Sequence, residues 1–244
     1  LLIRPIPKQA WELSKDKISM DSKLGEGAFG EVWKGTLKQF STTVQVAIKV
    51  TKVKEENKAL MQEMHKEARL MRQYKHLSAA QIAVLMPLTY HSVYITFIIS
   101  AACIGIDIAC RNCLIDNQRN IVKISDFGLS KQADKYKIQG FERVPVKWQA
   151  PEVVATRIYT RESDVYSYGI LVWEIFNDAK QPFEEFSNKT VRRRLADPTF
   201  RPPLSPDIPH EIRIIVNACW CALPEQRPVM KDVAWILKKY IRHS

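Results

Sequence analysis

Residues 104–130, IGIDIACRNCLIDNQRNIVKISDFGLS, constrain this chain more than any other stretch. They set two aspartates and an asparagine, Asp107, Asn112 and Asp126, around a short apolar hairpin whose second arm carries the β-branched residues Ile121, Val122 and Ile124. Carboxylate and amide oxygens so arranged suit a magnesium-phosphate site. Asn112 and Asp126 can each present a hard oxygen to Mg²⁺, and Asp107 can accept a proton from a hydroxyl nucleophile.

Asp-Phe-Gly at 126–128 is weak evidence by itself, since such a tripeptide is also an ordinary turn after a strand. Order and spacing carry the argument: D-x-x-x-x-N at 107–112, the β-branched strand, Asp126-Phe127-Gly128, and then Ala150-Pro151-Glu152. On these residues the chain resembles a protein kinase. The resemblance implies an α+β, bilobal fold, with a small β-rich N-lobe carrying one helix and a larger, mainly helical C-lobe. It divides the chain into a linker at 1–15, an N-lobe at 16–90 and a C-lobe at 91–244.

Upstream, Leu24 to Val32 spells L-G-E-G-A-F-G-E-V. Gly25, Gly27 and Gly30 let the backbone bend over phosphates, and Val32 is placed to cover an adenine. A dinucleotide fingerprint uses similar letters but should open a helix; here a strand follows, Val44-Gln-Val-Ala-Ile-Lys49. The resemblance gives Lys49 the α- and β-phosphates of ATP and a glutamate partner. Residues 55–74 are rich in helix formers, with Leu60, Met64, Glu67 and Met71 at helical steps. Glu67 is the expected partner and Glu63 the runner-up. The implied nucleotide pocket is Leu24, Gly25, Gly27, Gly30, Val32, Ala47, Lys49, Met86 and Leu114. The catalytic set is Asp107, Arg111, Asn112, Lys49 and Glu67, with Asn112 and Asp126 on Mg²⁺.

Two departures from the family pattern stand out. Between His76 and Asp107 only residues 77–106 intervene, where kinases place two strands, a hinge and two helices, so several dozen residues are absent. Residues 81–88, QIAVLMPL, are then the strand toward the hinge, with Met86 behind the adenine. Also, Gly105 and Ile106 stand where the family has histidine and arginine. Losing the packed histidine costs about 2–5 kcal/mol unless the site collapses. Isoleucine cannot grip a phosphorylated activation loop. Tyr136, between Lys135 and Lys137, is the expected autophosphorylation site and a weak switch, with Arg111, Lys131 or Arg143 left to meet its phosphate.

Substrate class follows from the same loop. Ala109 stands where serine/threonine kinases carry lysine, Arg111 stands where tyrosine kinases carry arginine, and Pro145-Val-Lys-Trp148 resembles the tyrosine-kinase substrate platform. Glu152 is expected to pair with Arg227. Asp164 is expected to cap the helix DVYSYGILVWEIF and to orient the catalytic loop. Trp173, Trp220 and Trp235 are expected in the core, residues 200–209 as a surface connection, and 211–241 as closing helices. The phrase LLIRPIPKQAWELSKDKI resembles the join upstream of the kinase domain in Fes/Fer-like non-receptor tyrosine kinases, which implies a phosphotyrosine-binding module earlier in the same chain.

Charge and cysteines narrow the partners. A formal net charge of +11 favours acidic peptides, phosphates or an anionic membrane face. The basic residues are too scattered for nucleic acid, and Arg192-Arg193-Arg194 is expected as a solvated helix face. Cys110-Arg-Asn-Cys113 has no second pair at ligand spacing, so reduced thiols in the cytoplasm are expected. The front of the chain has prolines and charge where a secretory signal needs an apolar core. The apolar run at 92–106 is 15 residues, short of the roughly 20 that span a bilayer, which leaves peripheral membrane contact and no span. The function these features imply is that of an ATP- and Mg²⁺-dependent non-receptor protein tyrosine kinase in signalling, itself a phosphoprotein, moving the γ-phosphate of ATP to protein tyrosine. Gly105, Ile106 and the shortened middle motivate the alternative, a catalytically impaired kinase-like scaffold that binds nucleotide.

Overall fold

The computed structural model describes residues 13–27, 30–50, 80–82, 85–88, 91–95, 97–99, 104, 107–116, 121–124, 130–131, 133–140 and 144–243. By backbone contacts the chain separates into two compact units, Leu1–Gln62 and Glu63–Ser244.

The first unit is built on an antiparallel sheet in the order β1 (Ile18–Gly27), β2 (Gly30–Gln39), β3 (Thr42–Val50). Along β3 the side chains alternate: Val44, Val46, Ile48 and Val50 are half-buried, while Gln45, Ala47 and Lys49 are exposed, as the period of two in a one-sided sheet requires. Lys23 ties the glycine-rich hairpin together by pairing with Glu26 at 2.6 Å and Glu31 at 3.1 Å. The helix expected at 55–74, with Glu67 and Glu63, lies outside the described residues.

The second unit contains a four-stranded sheet, in the order β5 (Leu85–Leu88), β6 (His91–Ile95), β9 (Ile121–Ile124), β8 (Cys113–Asp116), and a separate pair, β4 (Ala80–Ile82) with β7 (Phe97–Ile99). A third small ladder joins β10 (Lys135–Lys137) to β11 (Ile158–Thr160). Beyond it the unit is helical: α1 (Pro151–Thr156), α2 (Arg161–Ile175), α3 (Asn188–Arg194), α4 (His210–Cys219) and α5 (Met230–His243).

Helix α2 is the axis of this core, because its residues from Ser163 to Ile175 are all buried. A helix apolar on nearly every side is a core helix. Gly169 makes room for Trp220: a Cβ there would sit 2.5 Å from Trp220 Nε1. Helices α4 and α5 close over α2 with Ile212, Ile215, Val216, Val233, Ala234 and Leu237. A smaller cluster of Val146, Phe183, Val191, Leu195 and Phe200 lies beside the segment at 145–148, with Phe183 stacked on Phe200 at 4.9 Å.

Three sequence expectations change. Asp164 does not cap α2: the N-cap is Thr160, whose N–H donates to Ser163 Oγ at 3.1 Å while that hydroxyl donates back to the Thr160 carbonyl at 2.6 Å. Asp164 sits inside the first turn, buried. Trp235 is 64% exposed, because Val233, Ala234 and Leu237 define the inward stripe of α5 and turn position 235 outward, where the Lys239 ammonium lies 5.5 Å from its ring. Residues 200–209 are not all surface: Phe200 and Ile208 are buried at either end. Trp173 and Trp220 are core residues, and Arg192 to Arg194 are exposed.

Candidate active site

Cys110–Asn112 form a single 3-10 turn ahead of β8, and that turn folds the loop back on Asp107. Asn112 Nδ2 donates to both the Asp107 carbonyl, at 2.8 Å, and Asp107 Oδ2, at 2.9 Å. Arg111 Nη2 pairs with the other carboxylate oxygen, Oδ1. Asp107 is therefore gripped at both oxygens by groups four and five residues along the same loop. The guanidinium of Arg111 also lies 4.1 Å from the centre of the Trp148 ring, which fixes its plane by cation–π stacking. With Nδ2 turned to Asp107, Oδ1 is the atom of Asn112 suited to a hard cation; Asp126, the other expected ligand, lies outside the described residues.

The loop is docked from beneath by α2. Cys110 N–H donates to Glu174 Oε2 at 2.9 Å, and Cys110 Sγ lies 3.9 Å from the Leu171 carbonyl one turn earlier. Cys113 Sγ turns instead to the Ala109 carbonyl at 3.6 Å. Both thiols are free. Burial, reinforced by the Glu174 carboxylate, pushes the Cys110 thiol up and that of Cys113 up to about 12. Burial also raises Glu174, against the Cys110 N–H, the Trp148 indole and Arg111, which favour its charged form. The indole Nε1 faces that carboxylate without reaching hydrogen-bond geometry.

The segment after the loop is braced to the helical core. Arg227 holds Glu152 through both guanidinium ends, at 2.7 and 2.8 Å, and donates to the Cys221 and Glu162 carbonyls at 2.9 Å each. Lys147 buries its ammonium and donates to the Phe183 carbonyl at 2.9 Å. Tyr136 lies in β10 opposite Tyr159, half-buried, with the Lys131 ammonium 4.9 Å from its ring.

In the first unit the register sets Gly25 opposite Val32 and Val32 opposite Lys49, with Lys34 opposite Ala47. Directly opposed residues share a face, so Val32, Ala47 and Lys49 lie on one side of the sheet. Leu24 falls at a register shift and is 54% exposed. Gly27 and Gly30 end β1 and begin β2. Met86 lies on β5 and Leu114 on β8; nothing is described of their side chains. Asp126, Phe127, Gly105, Ile106, Arg143 and residues 1–12 lie outside the described residues.

Sequence reasoning missed Glu174. Its signal is visible in hindsight: one carboxylate in the otherwise apolar run I-L-V-W-E-I-F.

A β-sheet N-terminal region, a helical C-terminal region and an aspartate–arginine–asparagine loop together define a protein kinase. A family profile described as "Protein tyrosine and serine/threonine kinase" matches residues 18–102 and 94–237, and the chain belongs to that family, with its α+β, bilobal fold. It is similar to Fer-related kinase 1 of Caenorhabditis elegans, 30% identical over 273 residues, which cover 97% of this chain and 69% of that protein. It is similar also to tyrosine-protein kinase Fer of Mus musculus, 32% identical over 287 residues covering 99% and 34%, and to the tyrosine-protein kinase transforming protein Fps of avian sarcoma virus strain PRCII, 29% identical over 284 residues covering 98% and 52%. The chain thus spans about a third of the mouse relative's length.

The same comparisons leave positions of the relatives unmatched by this chain. Since 97% of 244 residues is about 237, about 36 of the 273 positions aligned with the nematode relative have no residue in this chain. The family profile breaks into two segments at 94–102, inside the stretch that is short. Among the described residues, no helix is long and apolar enough to cross a membrane.

Proposed function

We propose that this chain is an ATP- and Mg²⁺-dependent protein tyrosine kinase of the non-receptor, Fer-like type, which transfers the γ-phosphate of ATP to tyrosine hydroxyls of proteins. The observation that carries the reading is Asp107 held at both carboxylate oxygens, by Arg111 and Asn112, in a chain whose relatives named above are all called kinases. The non-catalytic alternative draws no support from those names.

In this mechanism Asp107 takes the proton of the substrate phenol while the phenolic oxygen bonds to the γ-phosphorus and the bond from phosphorus to the departing ADP oxygen breaks. Arg111 aims the Asp107 carboxylate and, stacked on Trp148, joins it to the platform at 145–148 where the peptide would lie. Asn112 holds Asp107 from the other side. Asn112 Oδ1 and Asp126 would hold Mg²⁺, which when bound neutralises charge on the phosphate oxygens. Lys49, partnered by Glu67, binds the α- and β-phosphates. Gly25, Gly27 and Gly30 close over the phosphates, while Leu24, Val32, Ala47, Met86 and Leu114 enclose the adenine. Tyr136 is the autophosphorylation site. The proposal extends to a cytoplasmic place of action, where thiols such as Cys110 and Cys113 stay reduced, and to a phosphotyrosine-binding module upstream in the same chain.

The nucleotide half of this reading is tested by thermal denaturation with Mg·ATP. The wild-type chain should be stabilised in a concentration-dependent way, and Lys49→Met should lose most of that shift. A chain whose melting temperature ignores Mg·ATP would contradict the proposal.

A further inference from the structure

Glu174 presents an unusual expense of charge. Glu174 is 3% exposed in the last turn of α2, whose residues from Ser163 to Ile175 are all buried, and burying a carboxylate is costly unless hydrogen bonds or charges compensate it. Its direct partner is the Cys110 N–H at 2.9 Å, a backbone group of the loop that runs from Asp107 to Asn112. The Trp148 indole N–H faces the same carboxylate, and the other side of the connection is short: Trp148 stacks on Arg111, and Arg111 pairs with Asp107. Cys110 is tied a second time to α2 through its thiol and the Leu171 carbonyl.

We propose that Glu174 is a positioning residue of the phosphoryl-transfer centre, fixing the Asp107–Asn112 loop to α2 by accepting the Cys110 N–H; this rests on the tyrosine-kinase reading above. Being buried, Glu174 does not meet the substrate. Its effect passes through the backbone at Cys110 and through the indole that orders Arg111. Misplacing a catalytic group by a fraction of its hydrogen-bond length lowers turnover far more than it lowers substrate binding.

The test combines amide hydrogen exchange at Cys110 with steady-state kinetics on Mg·ATP and a tyrosine peptide, in the wild type, Glu174→Gln and Glu174→Leu. In the wild type the Cys110 amide should be protected. In Glu174→Leu it should exchange about 10–100-fold faster, and kcat should fall by about the same factor while both KM values stay within about threefold. Glu174→Gln keeps an oxygen acceptor and should restore most of both. A wild-type Cys110 amide that exchanges like an open loop overturns the proposal, as does a folded Glu174→Leu with kcat within about twofold of wild type. A Glu174→Gln that keeps the amide protected yet loses kcat as Glu174→Leu does also overturns it, since charge and not the anchor would then matter. Should Glu174→Leu not fold, the wild-type amide and Glu174→Gln still decide. If the wild type transfers no phosphate, the tyrosine-kinase reading falls, while the amide comparison continues to judge the anchor.

Discussion

Glu152 and Arg227, 75 residues apart in sequence, meet in a bidentate pair at 2.7 and 2.8 Å with the Arg227 side chain wholly removed from solvent. The pair connects the start of α1 to the turn before α5. Arg227 adds the Cys221 and Glu162 carbonyls and lies 5.2 Å from the Tyr166 ring. A guanidinium so enclosed cannot be replaced by water. Arg227→Ala should cost about 3–5 kcal/mol, the range for removing one partner of a buried pair. Arg227→Lys should recover little, because an ammonium cannot reproduce the fork. Urea denaturation of the three proteins measures both.

Gly169 packs its bare backbone against the Trp220 indole. Gly169→Ala should therefore destabilise by about 1–3 kcal/mol through overpacking. At Gly25 an added Cβ meets nothing within 4 Å, so Gly25→Ala should leave the denaturation midpoint nearly unchanged and show itself, if anywhere, in the KM for ATP.

The two thiols of the loop supply a pH prediction. The folded chain holds the Cys113 proton up to about 12, against an ordinary value of 9.0, because burial disfavours the thiolate, and Cys110 is raised for the same reason. The native state therefore binds more protons than the unfolded chain above about pH 9, so stability present below that pH is lost as pH rises toward 12. Alkylation by iodoacetamide at pH 8, read by mass spectrometry, should spare Cys110 and Cys113 in the native protein and modify both after unfolding.

Tyr136 is half-buried in a ladder with Tyr159, and the Lys131 ammonium lies 4.9 Å from its ring. Phosphate there must leave the ladder and find Lys131 without the family's arginine at 106. Phosphorylated protein should exceed unphosphorylated protein in kcat by less than about fivefold, and Lys131→Ala should remove the difference.

Much of the site was legible because it is local. Asp107, Arg111 and Asn112 fall within six residues of one motif, which the structure folds together, and the Glu152–Arg227 pair follows from what the kinase resemblance implies. What was not legible depends on three-dimensional surroundings. Thr160 and Asp164 are both acceptable caps by residue type, and the choice falls to Thr160 only because Ser163 returns a hydrogen bond to it. Trp235 looks like core by composition and is turned outward by the stripe of Val233, Ala234 and Leu237. Glu174 reads as part of an apolar helix until the Cys110 N–H, 64 residues away in sequence, is found beside it.

The central claim is that Asp107 is the base of a tyrosine-directed phosphoryl transfer. Single-turnover transfer from Mg·ATP to a tyrosine peptide, comparing wild type with Asp107→Asn, tests it most directly. The account predicts measurable transfer by the wild type and a loss of about 10²–10⁴-fold in Asp107→Asn, with Mg·ATP binding kept within about twofold. Equal rates in the two proteins, or no transfer by a wild type that binds Mg·ATP, would contradict it.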